Sequence, residues 1–272
     1  MTDEALAETP EFRATELRAK GLRDAKVRVE KAFAARAEAG RPLRLWLRDD
    51  DAVRPTPALD RLLQLTGVAQ VPMVLAVIPA PFDEPPTGPE LAELLRDRPD
   101  VTVAVHGWSH QNHAPLGVKK QELGPHRPVD EMRAELRAGL MRLAALHGTR
   151  ARPLLVPPWN RIAPELVAVL AEDGFEAIST FGPEVQVPGL TVINSELDVI
   201  DWHGTRGGRD PAELWADLAD LAESGREHIG VLTHHLVHDD AVWAFLADLI
   251  QLAARTGAVW CPVTDLYTVP VA

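Results

Sequence analysis

The sequence has one cysteine, Cys261, in 272 residues. That excludes an internal disulfide and any zinc site built from several thiolates. It has no apolar run long enough to cross a bilayer. Its opening residues, Met1-Thr2-Asp3-Glu4-Ala5, are acidic, where a secretory leader carries positive charge and then an apolar stretch. A cytoplasmic location is the expectation. Basic residues are in deficit, 28 Lys and Arg against 40 Asp and Glu, for a formal net charge of −12 and a pI near 5.3. This balance argues against nucleic acid or an anionic membrane as the main partner. Internal repeats and low-complexity tracts are also missing, which excludes a solenoid.

What is present suits a large α/β domain. Hydrophobic residues make up 46% of the chain, enough for a sizeable core. Residues 1–42 read as a charged N-terminal helical extension, with a helix over about 4–40 stopped at Gly40-Arg41-Pro42. From residue 43 to 272 strands and helices alternate. Strands are expected at 43–48, 71–78, 101–105, 153–156, 176–179, 190–193, 229–233 and 258–261. Helices are expected at 57–68, 88–97, 128–147, 163–173, 211–225 and 240–256, with a polar segment up to residue 204. Such alternation implies a mostly parallel sheet with helices outside it. About seven strand–helix units fit a closed or nearly closed barrel, whose functional groups gather at the carboxyl ends of the strands.

Polar clusters stand at those strand ends. Asp49-Asp50-Asp51 follows the first strand, and His106-Gly107-Trp108-Ser109-His110 follows the third. Pro157-Pro158-Trp159-Asn160-Arg161 follows the fourth and reads as a rigid wall, because proline fixes φ and lacks a donor. Asp198-Val199-Ile200-Asp201-Trp202-His203 comes later, and His234-His235-Leu236-Val237-His238-Asp239-Asp240 follows strand 229–233. Carboxylates and imidazoles collected at strand ends are what a divalent metal site with an adjacent general base requires.

In order and spacing these clusters resemble the five motifs of the polysaccharide deacetylase (NodB-homology, carbohydrate esterase family 4) superfamily, over roughly residues 43–270. The aspartate motif matches 49–51, and the histidine-pair motif matches His106 to His110. The Arg-Pro-Pro-(Tyr/Trp) motif matches Val156-Pro157-Pro158-Trp159. The Asp-x-x-Asp-Trp motif matches Asp198 to Trp202, and the Leu-x-His motif matches Leu232-Thr233-His234. The chain departs from the pattern twice. Val156 stands where the family has an arginine that orients the catalytic Asp; the partner carboxylate Asp198 is retained, so its usual ion pair is lost or is remade by Arg48, Arg161 or Arg206. Three aspartates also leave two registers. Strand alternation favours Asp50 as base and Asp51 as ligand, and the rival register uses Asp49 and Asp50.

The resemblance implies a distorted (β/α)7 barrel and a metal-dependent hydrolase that removes an acyl group, most simply acetyl, from an N-acylated amino sugar, glycoconjugate or related amide. Asp51, His106 and His110 would hold one divalent ion, zinc by default, with cobalt, manganese, iron or nickel also suited to such ligands. Asp50 would be the general base and His234 the general acid, tuned by Asp201 or Asp198. A backbone N–H near Trp159 would face the oxyanion. Trp108, Pro158, Trp159 and Trp202 would line the pocket for a small-molecule or oligosaccharide substrate, with His113, Lys119 or Lys120 binding polar or anionic parts of it. His113, Lys119, Lys120, Glu122, His235, His238, Asp239 and Asp240 are read as mostly solvent-exposed loop residues. Two other readings stand beside this one. One is a carbohydrate-binding or regulatory protein with impaired turnover, and the other is an allantoinase-like cyclic amide hydrolase on the same fold.

Overall fold

The computed structural model describes residues 10–267. The start of the expected 4–40 helix, before Pro10, lies outside them. The described residues form two compact units.

The larger unit takes in Trp46–Asp198, Gly230–Leu236 and the chain from Cys261. Its strands are β1 (Arg44–Ala52), β2 (Met73–Val77), β3 (Val101–Val105), β4 (Ala151–Leu155), β5 (Ala177–Ile178), β6 (Thr191–Val192), β7 (Leu197–Asp198) and β8 (His228–Thr233). They run in the order β6-β5-β4-β3-β2-β1-β8-β7, with parallel pairing from β1 through β6 and between β7 and β8. The result is the expected α/β fold, a curled parallel sheet of distorted-barrel type whose strand path is open at β6 and β7. Strands β2 and β3 are apolar and almost wholly buried, as parallel strands covered on both faces must be.

Helices intervene where the sequence marks their starts. The Thr56 hydroxyl caps α2 (Pro57–Val68) by accepting from Leu59 N–H at 3.1 Å, with Pro57 in the first turn, where its missing N–H costs nothing. Helices α3 (Pro89–Leu94), α4 (Val129–His147) and α5 (Pro164–Val167) complete the set in this unit.

Inside the sheet Trp46 packs among Val74, Ala76, Ala104, Leu154, Val156, Ala177 and Ile193. Three small alanines make room for the indole. Gly230 does the same from β8, since a Cβ there would meet the indole ring at 2.6 Å.

The smaller unit holds the residues up to Leu45, Val199–Ile229 and Val237–Trp260. Helix α1 (Pro10–Glu38) packs against α6 (Pro211–Glu223) and α7 (Asp240–Thr256), burying Ala25, Val29 and Phe33 at four-residue spacing. Arg28 ties it to Glu223 and Asp220. Short β9 (Val259–Trp260) pairs with the first residues of β1.

Two expectations need correcting. The first strand does not stop before the aspartates: β1 continues through them to Ala52. Its neighbours go on pairing it, and the carboxylates find partners inside the fold. The segment read as purely polar before residue 204 contains β7, too short to show a periodicity.

Candidate active site

The site lies within the larger unit and is set up by an irregularity in β1. Asp49 pairs with Leu75 and Ala52 with Val77, so Asp50 and Asp51 together oppose the single residue Ala76. This is a β-bulge, and Asp51 takes the left-handed backbone it needs, with φ 70°. Alternation alone would send neighbouring side chains to opposite faces. The bulge re-aims one of them, which lets two consecutive aspartates serve one site.

Asp51 Oδ1 lies 3.0 Å from His106 Nε2 and 3.2 Å from His110 Nε2. One ligand atom from each of these residues lies within 4.8 Å of the others. Two ligands each about 2.1 Å from a shared ion stand roughly 3.0–3.4 Å apart, so the two measured separations fit a common ion. The tautomer fits as well. His106 Nδ1 donates to the Val156 carbonyl at 2.9 Å, which leaves Nε2 facing Asp51 as the ring atom a cation would take. Burial works against ionisation of Asp51, but the hydrogen bond from His106 and the nearby imidazoles outweigh it and hold the carboxyl well below its usual range. Burial, then the charge of His106, pushes His110 down to about 4, so it presents a neutral ring at ordinary pH. These residues suit a divalent cation.

Asp50 is 2% exposed and faces Arg48, its neighbour two residues back on the same strand face. Arg48 Nη2 donates to Asp50 Oδ2 at 3.0 Å, and Nε lies 3.0 Å from Oδ1. The guanidinium, itself fully buried, also donates to Asn160 Oδ1 at 2.7 Å, Ser179 Oγ at 2.8 Å and the carbonyls of Ser179 and Thr180 at 3.2 and 3.0 Å. Of the three arginines considered for this place, Arg48 is the one beside the aspartate. Arg161 instead donates to the Lys120 carbonyl, and Arg206 lies in the smaller unit. Val156, at the arginine position of the resemblance, faces the apolar interior beside Trp46. His234 Nε2 stands 3.9 Å from Asp50 Oδ2. That is too far for a direct hydrogen bond, and an atom to one side of the line between them could lie within hydrogen-bond reach of both.

Asp49 points to the other face of the strand. It is fully buried and accepts from Thr233 Oγ1 at 2.7 Å, His235 N–H at 2.9 Å and His235 Nδ1 at 2.5 Å. These bonds fix the corner that carries His234. The three aspartates therefore have three environments: Asp49 on the Thr233–His235 corner, Asp50 on Arg48 and Asp51 beside the two histidines.

The walls come from the strand-end loops. His110 packs tilted on Trp159 with ring centroids 4.3 Å apart, and Lys120 reaches over the same indole at 5.9 Å. Trp159 and Asn160 both have left-handed backbones, behind buried Pro158. Trp108 is half-buried in the loop of the histidine pair, His113 is half-buried nearby, and Lys119 is exposed. Asp198 is half-buried on β7, paired opposite Leu232 and so close along the sheet to His234. Asp201 and Trp202 belong to the smaller unit. There the Asp201 carboxylate accepts from the N–H groups of Gly204 and Thr205, and Trp202 is exposed.

The expectation for the outlying polar residues holds only in part. Asp240 is exposed. Asp239 caps α7 through Val242 N–H, and His238 packs edge-on against Trp243. His235 and Glu122 are buried, against expectation. Glu122 accepts from three successive backbone N–H groups, so it sits among partners that a loop-exposure rule cannot anticipate. Burial raises its carboxyl pKa, opposed by those bonds.

Solved structures share this architecture. A protein from Mycobacterium smegmatis, provisionally assigned as a polysaccharide deacetylase, aligns with a TM-score of 0.62 at 18% identity, over 84% of this chain and 90% of its own. A polysaccharide deacetylase from Bacillus cereus aligns with a TM-score of 0.56 at 16% identity, over 84% and 96%. A family 4 acetyl xylan esterase from Clostridium thermocellum, in complex with a cobalt ion, aligns with a TM-score of 0.52 at 16% identity, over 82% and 90%. No family model matches the sequence, and no curated protein matches it significantly. The chain carries the polysaccharide deacetylase fold.

Proposed function

We propose that the chain is a metal-dependent hydrolase that removes an N-acyl group, most simply acetyl, from an amino sugar, a glycoconjugate or a related amide. The observation that carries this reading is the convergence of two separate devices on one position. The triad Asp51, His106 and His110 could hold an ion, and beside it the Asp50–Arg48 pair faces His234 across 3.9 Å. Zinc is the proposed ion and the cytoplasm the proposed location. A divalent ion bound there supplies Lewis-acid polarisation of the acyl oxygen and acidifies water.

The remaining steps belong to side chains. Asp50, its carboxylate oriented by Arg48, takes a proton from the attacking water. His234, on the other flank, gives a proton to the leaving nitrogen as the C–N bond breaks. Asp198 orients His234 from the neighbouring strand. Asp201, which caps its own loop, is the weaker candidate for that task. The backbone N–H of Trp159 faces the oxyanion, and Trp108, Pro158 and Trp159 contact the acyl group or a sugar ring. His113 and Lys119 meet the outer part of the substrate.

Two measurements on His110→Ala test the reading together. Zinc stoichiometry should fall well below one, and acetate release from a panel of N-acetylated amino sugars should fall with it, while far-UV circular dichroism stays native. The barrel has its own apolar core and does not need an ion to fold. Full zinc occupancy in the variant would overturn the ligand set. A zinc-loaded wild type that binds sugars but releases no acetate would favour a binding protein with lost turnover.

A further inference from the structure

We propose that Glu122 is a positioning residue for the metal centre: its buried carboxylate anchors the turn that delivers His110. This inference rests on the metal reading above and concerns a residue outside the motif set. Glu122 is fully buried, and its carboxylate is held by hydrogen bonds from a single turn. Oε1 accepts from Trp108 N–H at 3.2 Å, Ser109 N–H at 2.7 Å and Ser109 Oγ at 3.1 Å. Oε2 accepts from His110 N–H at 3.2 Å. Three consecutive amides thus converge on one carboxylate, the concave arrangement of a backbone anion nest.

The backbone of the turn is bent to make this possible. Gly107 has φ 62°, and a Cβ there would meet Glu122 Oε2 at 2.1 Å, so only glycine fits. His110 is itself left-handed, with φ 55°. A non-glycine residue in that region costs free energy and persists where its surroundings over-determine it. Here the surroundings are the bond from His110 N–H to Glu122 on one side and the contact of its ring with Trp159 on the other.

Glu122 is held in turn from a fixed backbone. Leu123 bridges to Ile162, and its carbonyl accepts from Ala163 N–H at 2.7 Å. Gln121 N–H donates to Asn112 Oδ1 at 2.9 Å, and the Gln121 carbonyl accepts from His113 N–H at 3.0 Å. The Lys120 carbonyl accepts from Arg161. The segment 120–123 therefore ties the histidine loop to the loop after β4. His106 needs no such help, because it stands at the end of β3 with its Nδ1 on Val156 O. His110 lies beyond the sheet and depends on the turn.

Glu122→Gln is the test, since it keeps one acceptor for Trp108 and Ser109 but turns an amide NH₂ toward His110 N–H. Partners that orient metal ligands are typically worth about 10–100-fold in affinity. Zinc affinity, measured in competition with a chromophoric chelator, should weaken by that factor. Amide hydrogen exchange at Ser109 and His110 in the metal-free protein should accelerate. In a His110→Ala background the same substitution should cost little further zinc affinity, because the ligand it positions is gone. Glu122→Asp, one methylene shorter, should show an intermediate loss and keeps the test open if the glutamine variant folds poorly. Equal zinc affinity in wild type and Glu122→Gln would overturn the proposal. So would an undiminished loss in the His110→Ala background, which would mark a general structural role. A wild type that binds no zinc, cobalt or nickel would instead bring down the metal reading, with faster amide exchange in the variant still reporting the anchor.

Discussion

Arg48→Met is expected to lower kcat/KM by about 100-fold or more and to destabilise the fold by about 3–5 kcal/mol, the range seen when one partner of a buried pair is removed. Arg48 is 0% exposed and Asp50 2% exposed, so neither charge has water to fall back on. Removing the guanidinium strands the Asp50 carboxylate together with Asn160 Oδ1 and Ser179 Oγ. Lysine should rescue poorly, because one ammonium cannot reproduce a planar fork shared among Asp50, Asn160 and the end of β5. Urea unfolding of Arg48→Met, Asp50→Asn and the double variant separates the two effects. The double variant should regain much of the lost stability, since no unpaired charge remains, and none of the lost rate. If Arg48→Met were as costly in the Asp50→Asn background, the arginine would be holding the β5 and Trp159 loops and not the aspartate.

Much of this arrangement could be read from the chain, for reasons that differ by residue. Strands such as Val101–Val105 are continuous apolar runs between turn signals, and the spacing of His106 and His110 is local information. The α2 and α7 starts are marked by Thr56 with Pro57 and by Asp239. What could not be read depends on partners distant in sequence. The source of the guanidinium facing Asp50 was open among three arginines, because only the fold tells that Arg48, on the strand face of Trp46 and Asp50, meets Ser179 from β5. The burial of Glu122 and His235 was missed because each lies in a loop-like polar stretch whose partners are a turn 12 to 14 residues earlier in one case and Asp49 186 residues earlier in the other. The bulge at Asp50–Asp51 is hinted at by three consecutive carboxylates, more than strict alternation can aim at one face. Strand β7 is two residues long and carries no period at all.

His234→Ala is expected to keep the bound ion and lose most turnover on amide substrates. A positioned general acid contributes about 10²–10⁴-fold in rate. His234 follows β8 at the corner fixed by Asp49 through Thr233 and His235, and the ligand set Asp51, His106 and His110 does not include it. The deficit should be unequal across substrates. An amide leaves as a poor group and needs a proton on its nitrogen as the C–N bond breaks. An activated aryl acetate leaves as a stable phenolate and needs almost none. Comparing kcat/KM on both substrate types, in wild type and variant, should therefore show a large loss on the amide and a small one on the ester. An equal loss on both would mean that His234 binds or positions substrate rather than protonating the leaving group. His235 is a poor substitute in either case, because its ring is buried against Asp49 at 2.5 Å and its N–H is held by the same carboxylate. Loss of the ion from the variant would place His234 among the ligands, and the division between holding the ion and moving the proton would have to be redrawn around Asp50.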